Sequence, residues 1–177
     1  MRPISMAASI RLIPTANLSV PQSAGWGCRV TEYVFQIDGR ILAWMRPAQN
    51  GRRRYDPPEQ VAYKRLVAVL ALQARRKAGM QMIEGPVSLG VTVFYPQIKS
   101  DPTRLWKVSV PDYDNIVKNI KDALKGIAWI DDAQVAHYKE GGKIYLSADS
   151  PLCEHAIVRI SDAAEYDYRF LTDTRGF

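Results

Sequence analysis

The chain has 177 residues, 24 Lys and Arg against 18 Asp and Glu for a formal charge of +6, and 47% hydrophobic residues. That length predicts one domain, and that composition excludes a chain disordered throughout. Charges or prolines interrupt every apolar run well short of the ~18 residues a membrane helix needs, so the expectation is a soluble cytoplasmic protein with no membrane partner.

Residues 1–27 are rich in Ser, Ala, Pro and Gly without a sustained period and read as a loosely ordered extension. Arg2 precedes a partly apolar stretch, but Arg11 and Pro14 break it before it becomes a secretion signal. From Cys28 to Ile37, the β-prone Val30, Tyr33, Val34, Phe35 and Ile37 predict a strand, and Asp38-Gly39 predicts a hairpin turn into a second strand at Ile41–Trp44. Pro57-Pro58 opens a helix expected over about 58–78, where Val61, Leu66, Val67, Leu70 and Ala74 recur at helical spacing until Gly79 stops it. Val87, Leu89, Val91 and Val93 then alternate with other residues, the period of a half-buried strand ending near Tyr95.

Pro96, Pro102 and Pro111 mark residues 96–111 as a loop. A second helix is expected from Asp114 to Lys125, with Ile116, Val117, Ile120, Ala123 and Leu124 on one face and Gly126 just past its end. Gln134–Ser147, interrupted at Gly141-Gly142, and Glu154–Ser161 read as further strands, and residues 162–177 as a tail. This order predicts a single α+β domain over residues 28–161, a mixed β-sheet packed with two main helices.

Cys28 and Cys153 are the only cysteines and form no C-x-x-C pair, and His137 and His155 are the only histidines. A zinc centre is therefore excluded, the thiols read as buried and reduced, and any hydrolytic chemistry must rest on carboxylates. The carboxylates concentrate in Pro111–Val135, PDYDNIVKNIKDALKGIAWIDDAQV. Asp112 and Asp114 flank the start of the second helix, where unpaired N–H groups favour negative charge; Asp114 as the N-cap and Asp112 as a turn residue would explain them structurally.

A different reading follows from reach. The helix carries the chain about 18 Å from Asp114, and an extended run Ile127–Ile130 after Gly126 would return about 13 Å, setting Asp131 and Asp132 beside Asp112 and Asp114. Carboxylates gathered in that way repel unless a hard cation sits among them, which suits Mg²⁺ or Mn²⁺. Lys118, one turn after Asp114, either forms an ordinary surface pair or supplies charge to the site; Asp122 is expected to pair with Lys118 or Lys125.

The order Pro-Asp-x-Asp-Asn, a Lys four residues after the second Asp, then Asp-Ala-Leu, a Gly, a Trp and Asp-Asp-x-x-Val resembles the RusA-type Holliday junction resolvases over Pro111–Lys139. The resemblance implies a RusA-like fold and a Mg²⁺-dependent endodeoxyribonuclease acting as a homodimer on four-way DNA junctions in recombination and repair, without an organic cofactor. It matches Asp112, Asp114 and Asp132 to catalytic, metal-binding aspartates, Asp131 to the neighbouring acid and Lys118 to a functional lysine. Tyr113 departs from the pattern, standing where an aliphatic residue is usual, and is expected to change little because it lies between the acidic positions.

Between Arg46 and Lys77 lie nine basic and two acidic residues. Arg46, Arg52, Arg53, Arg54, Arg75, Arg76 and Lys77, with Lys139, are the expected DNA-contacting set, and Trp44 and Trp106 candidates to stack on unpaired bases, whereas Trp129 reads as core. A less selective flap or fork nuclease, a catalytically silent DNA-binding module of the same fold, and an RNA-binding face remain as alternatives.

Overall fold

The computed structural model of the chain describes residues 32–50, 53–147 and 150–163. The expected N-terminal extension, the tail beyond residue 163, Cys28 and Arg52 lie outside the described residues.

The elements run β1 (Glu32–Asp38), β2 (Ala48–Asn50), β3 (Arg53–Tyr55), α1 (Pro58–Lys77), β4 (Val87–Tyr95), α2 (Tyr113–Leu124), a 3₁₀ turn (Asp132–Gln134), β5 (Val135–Tyr138), β6 (Gly142–Tyr145) and β7 (His155–Asp162). The main sheet is ordered β1-β7-β4-β5, with β6 also on β4. β7 runs antiparallel to β1 and β4, while β5 and β6 run parallel to β4. The sheet is mixed, two helices accompany it, and the α+β expectation holds.

The expected hairpin after β1 does not form. Gly39 turns at φ 88°, but residues 41–47 pair with no strand, and the antiparallel partner of β1 is the distant β7. A pairing across more than a hundred residues has no local signal, whereas an Asp-Gly turn is only permissive. A two-strand hairpin arises instead from β2 and β3, opposing Ala48 to Tyr55 and Asn50 to Arg53.

β4 lies in the middle of the sheet, so both its faces are covered. Val87, Leu89, Val91 and Val93 fill one side, and Ser88, Gly90 and Thr92 are buried on the other, where alternation alone suggested exposure. α1 begins with proline in its first turn and buries Gln60, Tyr63, Val67, Ala71 and Ala74, a stripe rotated from the expected one so that Val61, Leu66 and Leu70 are only partly covered. α2 buries the expected Ile116, Val117, Ile120, Ala123 and Leu124, together with Asn119. Trp129 is wholly buried, as its apolar setting predicts.

α1 packs on α2 and β1. Lys64 of α1 bridges the helices, its ammonium lying 3.2 Å from both Asp56 and Asp122. Asp122 therefore pairs with neither Lys118 nor Lys125, because the neighbouring helix offers a half-buried cation that sequence spacing does not reveal. Replacing Lys64 by Met keeps the packed stem and leaves two carboxylates facing each other; a loss of about 1 kcal/mol in urea unfolding is expected, shrinking when Asp122 is also Asn.

Cys153 is exposed, contrary to the buried thiol expected. Among the described residues no helix is long and apolar enough to cross a membrane.

Candidate active site

The acidic turn that carries Asp112 and Asp114 is anchored at a break in the sheet. β4 pairs with β5 through Leu89 and with β6 from Thr92 onward, so the ladder is interrupted at Gly90–Val91. There the Val91 carbonyl accepts the Tyr113 hydroxyl at 2.6 Å, tying the first residue of α2 to the centre of the sheet. Gly141 permits the approach: a Cβ on it would fall 2.1 Å from the Val91 oxygen and 2.5 Å from the Tyr113 hydroxyl. Burial raises the Tyr113 pKa, aided by nearby Tyr138, and so keeps the hydroxyl a donor. The tyrosine between the two aspartates, expected to matter little, positions them.

A second tie comes from Lys143, whose ammonium donates to the carbonyls of Ser109 (2.7 Å) and Pro111 (2.6 Å). Its pKa is lowered by burial and by Lys107, and raised in part by Asp112. Neither Lys143 nor the Val91 break carries a sequence signal, since both depend on strands that meet only in the fold.

Asp112, rather than Asp114, is the N-cap of α2, and its side chain makes no capping hydrogen bond. Asp114 lies in the first turn. Both are exposed, and neither carboxylate hydrogen-bonds or ion-pairs with another described residue. The fold therefore does not use these two acids as caps.

The other pair is placed differently. Gly126 does adopt a left-handed φ of 75°, but Ile127 and Ala128 donate back to Leu124 and Gly126 donates to Trp129 at 2.7 Å. The expected extended return is a tight turn, so Asp131 and Asp132 stay at the C-terminal end of α2, the far end of a helix about 18 Å long. Arg75 fixes that turn by donating to the Ile127 carbonyl at 2.5 Å. Among the described residues no three His, Cys, Asp or Glu side chains gather at a common metal position. The gathering expected within one chain is thus corrected, because hydrogen bonding closed the loop that reach alone left open.

Asp131 is occupied structurally. It caps the 3₁₀ turn, accepting from Ala133 at 3.0 Å, and pairs with Lys125 at 2.8 Å. The Lys125 hydrogen bond and the Ala133 amide hold its carboxyl below the usual range, and Lys125 is raised in return. Asp132 accepts the indole N–H of buried Trp129 at 3.1 Å through one oxygen.

Lys118 pairs with neither Asp114 nor Asp122; its ammonium lies over the Trp44 ring, 3.6 Å from the centroid. Of the basic set, Arg46, Arg54, Arg76 and Lys77 are exposed, whereas Arg75 is turned inward on Ile127 and Lys139 pairs with Glu32. Arg53 lies in β3. Just before the acids, the strap carrying Trp106, Val108 and Val110 exposes 54, 82 and 76% of those residues.

A family model, Endodeoxyribonuclease RusA, matches residues 40–148, which contain this whole arrangement. The chain belongs to the RusA endodeoxyribonuclease family. It is also 33% identical over 142 residues, 72% of this chain and 96% of the relative, to the uncharacterized protein YqaN of Bacillus subtilis (strain 168). The match includes Asp112, Asp114, Lys118, Asp131 and Asp132 and covers the sheet break and the turn that carries Asp112 and Asp114; β1 and β7 lie outside it.

The donor chemistry of the acidic turn fits a hard divalent ion. Two carboxylates unclaimed by the fold are the protein share that Mg²⁺ commonly takes, the remaining positions going to water and phosphate oxygens.

Proposed function

We propose that this RusA-family chain is a Mg²⁺-dependent endonuclease that resolves four-way DNA junctions as a homodimer, acting on cytoplasmic DNA in recombination and repair. The observation that carries this reading is the pair Asp112 and Asp114, held at the start of α2 with no carboxylate hydrogen bond or ion pair among the described residues. Mn²⁺ has the same preference for hard oxygen donors and is the expected substitute.

When bound at Asp112 and Asp114, the metal would supply Lewis-acid polarisation of the scissile phosphate. The chain's own contributions are positional and electrostatic. Tyr113 and Lys143 fix the backbone on either side of Asp112, so the carboxylates meet the phosphate without a reorganisation cost. Lys118, one turn on, offers an unneutralised ammonium to the charge that grows on the phosphoryl oxygens. Arg46, Arg54, Arg76 and Lys77 supply sequence-independent phosphate contacts, and Trp106 on its exposed strap meets bases opened at the branch point.

The dimer follows from two needs. Paired nicks in opposed strands require two acid sites, which a two-fold axis provides. Among the described residues no three acids gather within one chain, so in the proposed dimer the third carboxylate, Asp132, comes from the second copy.

Synthetic four-way junctions, forks and linear duplexes incubated with Mg²⁺ or with EDTA test the reading. Symmetric nicks on the junction, lost in EDTA, are the expected result. Cleavage confined to forks would replace it with a flap or fork nuclease, and retarded but uncut DNA with a silent binding module.

A further inference from the structure

Residues 41–45 belong to no strand, yet their backbone is bound at four points. Ile41 N–H donates to Glu154 Oε1 at 2.8 Å, the Leu42 carbonyl accepts from Asn119 Nδ2 at 3.0 Å, Trp44 N–H donates to the Asn115 carbonyl at 2.8 Å, and Met45 N–H donates to Gln60 Oε1 at 2.6 Å. Gln60 and Asn119 are wholly buried amides on helix faces that are otherwise largely apolar, and the other polar atom of each finds no hydrogen-bond partner among the described residues. Burying an incompletely satisfied amide is unfavourable by about 1–3 kcal/mol, so an apolar residue at either position would suit the core better unless the segment it holds matters. What the segment presents is the Trp44 indole, set beneath the Lys118 ammonium.

We propose that Trp44 is a positioning residue for Lys118, holding the ammonium at the acidic end of α2 as a free charge; this rests on the nuclease reading above. A lysine on an exposed helix samples many rotamers, and the negative face of an indole selects among them. An indole also attracts the cation without neutralising it. A carboxylate partner would take the charge that an incoming phosphate needs, and neither carboxylate at i,i+4 spacing fills that role among the described residues: Asp122 is engaged by Lys64, and Lys118, set over Trp44, forms no ion pair with Asp114. The bridge between the helices and the clamp on residues 41–45 thus act on the same lysine, one by removing a competitor and one by supplying a neutral seat.

The test uses the whole chain, with Trp44→Leu, Trp44→Phe and Lys118→Ala made singly and Trp44→Leu also combined with Lys118→Ala. Without DNA, NMR should find the Lys118 ε-methylene protons shifted upfield by the indole ring, and returned to ordinary positions in Trp44→Leu. Single-turnover junction cleavage in Mg²⁺ should fall about 10-fold in Trp44→Leu, recover most of the way in Trp44→Phe, and fall no further when Trp44→Leu is added to Lys118→Ala. Junction affinity in Ca²⁺ should stay within about 2-fold for the Trp44 variants, since the contact is assigned to the reacting phosphate. Wild-type cleavage by Trp44→Leu, an unshifted ε-methylene in the wild type, or an undiminished Trp44→Leu loss in the Lys118→Ala background would each overturn the proposal. A wild-type protein that shows the ring shift but cuts no branched DNA overturns the nuclease reading itself, and the ring shift distinguishes that failure from failure of the contact.

Discussion

Asp114→Asn is expected to lower junction cleavage by at least about 10²-fold while leaving junction binding intact or tighter. The loss follows because one of two adjacent oxygen ligands becomes a neutral amide in a site whose work is charge stabilisation. Binding should survive because the exchange removes a negative charge from a surface that DNA phosphates approach. Stability should move by less than about 0.5 kcal/mol, since this carboxylate bonds to nothing else described in the fold. Gel retardation in Ca²⁺ and cleavage in Mg²⁺ on the same junction check both halves. Mixing this variant with Asp132→Asn extends the test to the dimer. If the third acid is supplied by the second copy, a mixed dimer carries one intact site and one site altered at both positions, so single-strand nicks reappear without paired resolution. No nicking in the mixture would place all three acids on one chain. Wild-type cleavage by Asp114→Asn alone would remove the assignment of the acidic turn.

The second large effect is expected at Trp129, which is fully buried and donates to Asp132. Trp129→Ala removes a whole indole from the core and should lower stability by about 3–5 kcal/mol. In a chain of this size that corresponds to a fall of roughly 10 °C in Tm. Trp129→Phe keeps most of the apolar burial and removes the N–H, so its stability loss should be clearly smaller while Asp132 loses its orienting donor. Differential scanning calorimetry measures the first effect and single-turnover cleavage the second. Equal stability losses in the two variants would mean that the hydrogen bond, rather than packing, holds this corner of the core.

The two aspartate pairs show how local and non-local information divide. Asp112 and Asp114 were legible because a helix N-terminus is a local event: the apolar face of α2, its length and the proline before it are written in one short segment. Their freedom from structural work was not legible, since both are residue types that cap helices well, and only the structure shows the Asp112 carboxylate leaving the cap unmade. Asp131 and Asp132 failed in the opposite way. Reach along the chain permitted their return to Asp112, but reach is an upper bound, and the hydrogen bonds of Leu124, Gly126 and Trp129 close the turn well inside it. Lys64 and Asp122, 58 positions apart, had no means of declaring their pairing before α1 and α2 were packed.

By itself, then, the sequence determined the family and part of the element order: both helices to within a residue or so at each end, the central strand from Val87 to Tyr95, the strand pair broken at the two glycines, and the acid-lysine spacing of Pro111–Lys139. These are properties of neighbouring residues, and periodicity and motif spacing report neighbours. The tertiary structure alone decided that β1 pairs with β7, that Tyr113 anchors the acidic turn on Val91, that Trp44 seats Lys118, and that the four aspartates form two pairs at opposite ends of α2. Each of these joins segments far apart in the chain, where the outcome is set by which buried donors and acceptors find one another in the packed core.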